Sequence, residues 1–174
     1  MFSKLIASSM DASKEKITRT SFVEIVKQLE PIDAQNLKWI FDKKDDVTQL
    51  VCNIEINYST GGATTVYSNV FLGNPNIHNQ EILGPSLENL ARLGLIEITY
   101  QQHRTNIEHY KVFEETIEFK KTLDYISSTN RDLQMGREVY PSVDKYQLEL
   151  SGPSLQKGVI IITNLGKSFC SICL

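Results

Sequence analysis

The sequence predicts an α+β fold, with N-terminal helices followed by a mixed unit of strands and short helices. Three observations predict it. Apolar residues recur every three to four positions through the first forty residues, they alternate at period two in three later stretches, and a glycine joins a short helix directly to a strand at "SLENLARLGLIEITY" (residues 86–100).

The elements follow in order. Phe2, Leu5, Ile6 and Met10 make one apolar stripe on a short helix, and the polar run 11–20 ends it. Ser21 with Glu24 fits a capping box ahead of Phe22, Ile25, Val26 and Leu29. Pro31 suits the first turn of a third helix, where its missing N–H costs nothing, and Ala34, Leu37, Ile40 and Phe41 continue its face. Cys52, Ile54, Ile56 and Tyr58 then alternate with Asn53, Glu55 and Asn57, as in a strand with one wet face.

"TGGAT" (60–64) reads as a turn, 66–72 fits either a strand or a helix, and 74–79 reads as loop. Gly84 and Pro85 precede Ser86, expected as an N-cap, and Gly94 is expected to stop the helix that carries Leu87, Leu90 and Leu93. Ile96, Ile98 and Tyr100 alternate as a second strand, and Tyr110, Phe113, Ile117 and Ile126 predict one helix across 107–127. Tyr146, Leu148 and Leu150 alternate next, "GP" at 152–153 reads as a turn, and Val159 to Ile162 reads as an interior strand. Phe169, Ile172 and Cys173 close the chain as a helical face.

The order helix, strand, helix ending in "LGLI", strand, and a late strand ending in "TNLGKSF" matches a winged-helix-like unit, whose last two strands form the wing of a three-stranded sheet. Here a helix-containing insertion would interrupt that wing. The chain is expected to be a single domain, 1–174, with a helical part at 1–44, the winged-helix-like unit at 45–102 and 146–174, and the insertion at 103–145.

Composition narrows the function. The 174 residues, 41% of them hydrophobic, are enough for one substantial core. Formal net charge is −3, and acids outnumber bases by one in each of 1–60, 61–105 and 106–174, so no basic tail or patch stands out. Non-specific nucleic-acid affinity comes from Lys and Arg displacing counterions, and this balance therefore disfavours a duplex binder. Three cysteines are too few for a disulfide scaffold and suit a reducing cytoplasm. No apolar run nears the roughly 20 residues that span a bilayer, so no membrane contact is expected from this chain.

Candidate site residues are few. The outer face of helix 86–93 would offer Glu88, Asn89 and Arg92, of which the amide and the guanidinium could read base edges while the carboxylate opposes phosphate. Arg104 and His109 have the R-x-x-x-x-H spacing, which resembles the motif of all-helical ribonucleases in toxin and phage-defence systems, with His as acid or base and Arg against phosphate charge. Cys170 and Cys173 are spaced as half a zinc site that Cys52 and His78 would have to complete; two small packed residues are the simpler reading, and no metal or cofactor is expected. Glu118-Phe119-Lys120 matches the E-x-K element of metal-dependent nucleases but sits in an expected helix, as a solvated face like Asp45-Asp46 in its loop. Trp39 and the tyrosines read as core or interface.

Four blocks together, "FSKLIASSM" (2–10), "SFVEIVKQLEPIDAQNLKWI" (21–40), "SLENLARLGLIEI" (86–98) and "ITNLGKSFCSICL" (162–174), resemble the abortive-infection alpha family of bacteria. Glu30 stands where that pattern would place a serine cap. The resemblance implies a role in phage resistance and a longer N-terminus in other members, and it implies no catalytic residues. From these features a non-enzymatic interaction or sensing module is expected, working through a protein partner or through self-association of the N-terminal helices or a strand edge. A ribonuclease using Arg104 and His109 is the alternative, and a winged-helix DNA regulator the second.

Overall fold

The computed structural model describes residues 21–43, 49–135 and 149–174. The stripe at 2–10, Asp45-Asp46 and the alternation at Tyr146 and Leu148 lie outside the described residues. The fold is α+β, and the elements are α1 (Ser21–Gln28), α2 (Pro31–Asp42), β1 (Leu50–Tyr58), β2 (Ala63–Phe71), α3 (Gln80–Arg92), β3 (Ile96–Thr99), a 3-10 helix (Ile107–Glu115), α4 (Ile117–Gln134), β4 (Leu150–Ile162) and α5 (Asn164–Cys173).

The strands form one antiparallel sheet in the order β2-β1-β4-β3. A winged-helix sheet has three strands; this one has a fourth, β2, to which the ambiguous stretch 66–72 largely belongs. Pairing of Val51 with Phe71 continues regularly through Cys52 and Val70, then slips twice. One extra residue falls between Val70 and Tyr67, where Asn69 takes a left-handed φ of 54°, and a second falls at Val66 between Thr65 and Tyr67. These bulges destroy the period of two that would have revealed the strand.

Helices cover both faces. On one, α1, α2, α3 and α5 bury Phe22, Leu37, Leu87, Leu90 and Phe169 against Val51, Phe71, Ile160 and Ile162. The rings of Phe22 and Phe169 meet edge to face at 5.3 Å, joining the first described helix to the last. On the other face the 3-10 helix sets Tyr110 and Phe113 on Leu50, Cys52, Ile54 and Val70, and α4 sets Ile126 on Ile56 and Leu150. The alternation Cys52, Ile54, Ile56 thus points to this second face, so β1 is buried on one side by helices at a distance in sequence.

Three local expectations are corrected. Ser86 is not an N-cap: α3 begins at Gln80 with the Asn79 side chain accepting from the Glu81 N–H, and Pro85 lies inside the helix. Ser86 is buried instead, and its hydroxyl accepts from Asn36 at 2.9 Å while Asn36 accepts from buried Asn74 at 2.7 Å. Burial of Leu83 and Leu87 on either side of the proline offsets the one helical bond it forfeits. The predicted helix 107–127 is two elements, because Thr116 adopts extended backbone and caps α4 through its hydroxyl. "GP" at 152–153 is not a turn: Gly152, at φ 132°, sits in a bulge within continuous β4, where only β1 flanks it.

The link from α3 to β3 forms as expected at Gly94, with φ 72°. Thr163 then caps α5, accepting from the Gly166 N–H at 2.9 Å and donating to the Gly94 carbonyl at 2.6 Å. Gly166 packs so closely on the Leu95 backbone that a Cβ there would fall 2.0 Å from its oxygen.

Candidate functional site

The polar face of α3 is bonded to neighbouring elements, although Glu88 and Arg92 on it are exposed. Asn89 is half-buried and its side-chain N–H groups donate to the Asp33 carboxylate at 2.7 Å and to the Gln28 carbonyl at 3.1 Å. Its carbonyl oxygen accepts from Arg92 Nη2 at 2.7 Å, and Arg92 Nη1 reaches Gln28 Oε1 at 3.2 Å. Asp33, buried at the start of α2, also accepts from the Glu30 backbone N–H at 2.9 Å, so Glu30 is capped through Asp33 although it is no serine. Glu88 accepts from Asn69 at 3.0 Å, and Asn69 accepts from the Tyr100 hydroxyl at 2.7 Å. Tyr100 lies across Gly158, where a Cβ would come within 2.7 Å of its ring, and burial pushes its hydroxyl pKa upward. Glu88 thus bonds to β2, Asn89 to both α1 and α2, and Arg92 to α1 and to Asn89 of its own helix, so all three are engaged within the fold.

Arg104 and His109 lie on one exposed stretch leading into the 3-10 helix. The Arg104 guanidinium donates to Gln49 at 3.3 Å, and its backbone N–H donates to the Tyr110 hydroxyl, which itself donates to the Gly158 carbonyl at 2.8 Å. His109 Nε2 is 3.3 Å from the amide of Asn106, the residue that caps the 3-10 helix. Each has a neighbour of its own, and no hydrogen bond joins the two side chains. A helical setting for the R-x-x-x-x-H spacing is half realised, since His109 is on the 3-10 helix and Arg104 precedes it.

The three cysteines are buried and form no disulfide, and the sheet separates Cys52 from the other two. Cys52 packs under the 3-10 helix, whereas Cys170 and Cys173 belong to the core on the opposite face, and His78 is exposed in the loop before α3. The set that would complete a zinc site is therefore not brought together. Glu118 and Lys120 are in the first turn of α4, with Lys120 exposed. Trp39 is half-buried beneath the Lys43 ammonium, 5.2 Å from the ring centroid.

One concave feature was invisible in the sequence. Between β2 and α4 a groove of about 300 Å³ is lined by Ile56, Val66, Tyr67, Lys121, Thr122 and Tyr125. Its β2 wall depends on the bulge at Val66, because a bulge sets two consecutive side chains, here Val66 and Tyr67, toward the same side of the sheet. Its other wall exists because α4 presents small Thr122 toward the sheet, with Tyr125 and Lys121 at the rim. Val66 and Tyr125 are 45% and 44% exposed, so two large apolar side chains meet water within one concavity.

Fold and surface together define a one-sheet α+β protein with helices packed on both faces. The model of the family described as abortive infection alpha matches residues 1–173, essentially the whole chain, and the protein belongs to that family of abortive-infection proteins. No curated protein and no solved structure matches it. Among the described residues no helix is long and apolar enough to cross a membrane.

Proposed function

We propose that the chain is a non-enzymatic interaction or sensing module in phage abortive infection, acting through a protein partner or self-association. The intramolecular engagement of Asn89 and Arg92 carries this reading. A recognition helix needs its amide and guanidinium free to meet base edges; here both serve intramolecular bonds. The even distribution of charge agrees, as do three buried cysteines outside any disulfide with a cytoplasmic setting.

In fold terms we read β3 and β4 as the two strands of a wing, interrupted by the 3-10 helix and α4, with α3 as the helix that precedes it. Antiparallel pairing of Ile96 with Ile162 through Thr99 with Val159 supports that comparison. A single domain over 1–174, with 103–145 as the insertion, follows from the same reading.

Phage plating on cells expressing wild type or Arg104→Ala/His109→Ala tests the proposal against the ribonuclease alternative. Protection is expected to survive the double change. Loss of protection by a folded double variant, with loss of RNA integrity in the wild type alone, would replace this reading by nuclease chemistry. Salt-sensitive binding of the purified chain to duplex DNA would favour the regulator instead.

A further inference from the structure

The groove between β2 and α4 is built from features that regular secondary structure would not supply. A bulge doubles the apolar wall at Val66 and Tyr67, and Thr122 leaves room where a larger residue of α4 would close it. About 300 Å³ is at the lower limit for ligand pockets, the space for one large side chain or a small organic molecule.

Its charge is equally specific. Among the described residues of the lining Lys121 alone carries a charged side chain, and no carboxylate among the described residues lies within 4.0 Å of its ammonium. The hydroxyl of Thr122 is spent on the Glu118 carbonyl at 2.8 Å, so it offers the occupant no free proton. An apolar body fits the walls and a carboxylate complements the rim.

From this complementarity we infer that the groove receives a large apolar side chain of a partner polypeptide whose neighbouring residue is acidic. This deepens the interaction-module reading and rests on it. The apolar side chain enters between Val66, Tyr67 and Tyr125 over Ile56, and the adjacent carboxylate meets Lys121. The register is short, one anchor and one charge, which suits recognition of a brief linear segment.

The test uses the purified 174-residue chain and blocked dipeptides, phenylalanyl-aspartate against phenylalanyl-asparagine, followed by amide chemical shifts. Saturable shifts are expected at residues 64–67 and 121–125, with the aspartate peptide binding roughly fivefold tighter than its amide counterpart. Lys121→Gln should equalise the two peptides without altering the spectrum elsewhere, and Thr122→Leu should abolish binding of both by filling the groove. Equal affinity of the two peptides for wild type, or shifts outside the groove, would overturn the proposal. So would 4-phenylbutyrate binding as tightly as the aspartate peptide, which would assign the groove to small organic acids. These measurements contain no phage, so they can fail while plating still supports a partner-dependent module, and the reverse.

Discussion

Asn89 and Asp33 are 56 positions apart in sequence and are joined by a 2.7 Å hydrogen bond that fixes α3 against the start of α2. Asp33 is 1% exposed, and its carboxylate has two donors, the Asn89 amide and the Glu30 N–H. Asn89→Ala removes one donor from a buried charge and is expected to cost about 2 kcal/mol. Urea unfolding should show a lower midpoint at unchanged slope. Arg92→Ala, at an exposed position, should cost under about 0.5 kcal/mol, so the two changes separate seating of the helix from any ligand contact.

Gln80 is bonded to both backbone groups of Phe71, accepting from its N–H at 2.9 Å and donating to its carbonyl at 3.0 Å. A side-chain amide there does what a neighbouring strand would do. Gln80→Ala leaves two buried backbone groups unpaired, with an expected loss of about 2 kcal/mol. Hydrogen exchange at the Phe71 amide should accelerate more than exchange in β4. Gln80→Glu should not restore protection, because a carboxylate cannot donate to the carbonyl.

Gly166 has no room for a methyl group: the neighbour at 2.0 Å is backbone oxygen, which cannot swing away. Gly166→Ala should separate α5 from the α3–β3 link and cost about 3 kcal/mol, lowering the melting temperature by roughly 6–12 °C. Gly61→Ala, where the obstacle is a φ of 96° with open space around it, should cost about 1 kcal/mol.

Burial raises the thiol pKa of Cys52 and pushes that of Cys173 up to about 11 from the ordinary 9.0. All three thiols should resist a thiol-reactive dye at pH 8 in the native protein and react once urea is added. A raised thiol pKa means that the folded state holds the proton longer. The associated stability is complete below pH 9 and is lost as pH rises through about 11. Cys173→Ala should remove that part of the alkaline decline in melting temperature.

Much of the architecture was legible because its signals were local. Pro31 at a helix start, Gly94 at a helix end and the alternation in β1 each arise within a few residues, and each appears where the pattern placed it. Where distant contacts decided the outcome, the pattern misled. Ser86 looked like a cap because nothing nearby discloses Asn36, fifty positions away. The mixed signal at 66–72 came from Val66 and Asn69, whose bulges interrupt alternation, and the groove they help to form was hidden for the same reason. The α3 residues were chosen for their chemistry, and only packing reveals that Gln28 and Asp33 already occupy them.

The two bulges of β2 have a further consequence for how copies of this chain can meet. In the order β2-β1-β4-β3 this strand has an open flank, carries no charge from Ala63 to Phe71 and is rich in residues that favour pairing. Irregular steps at Val66 and Asn69 break the spacing that a recruited strand must match, and Gln80 already fills the position beside Phe71. Only the short stretch 63–65 remains regular. Crowding such chains together would therefore offer poor templates for fibrillar stacking, and copies that assemble would have to do so by matching side-chain surfaces rather than by lengthening the sheet.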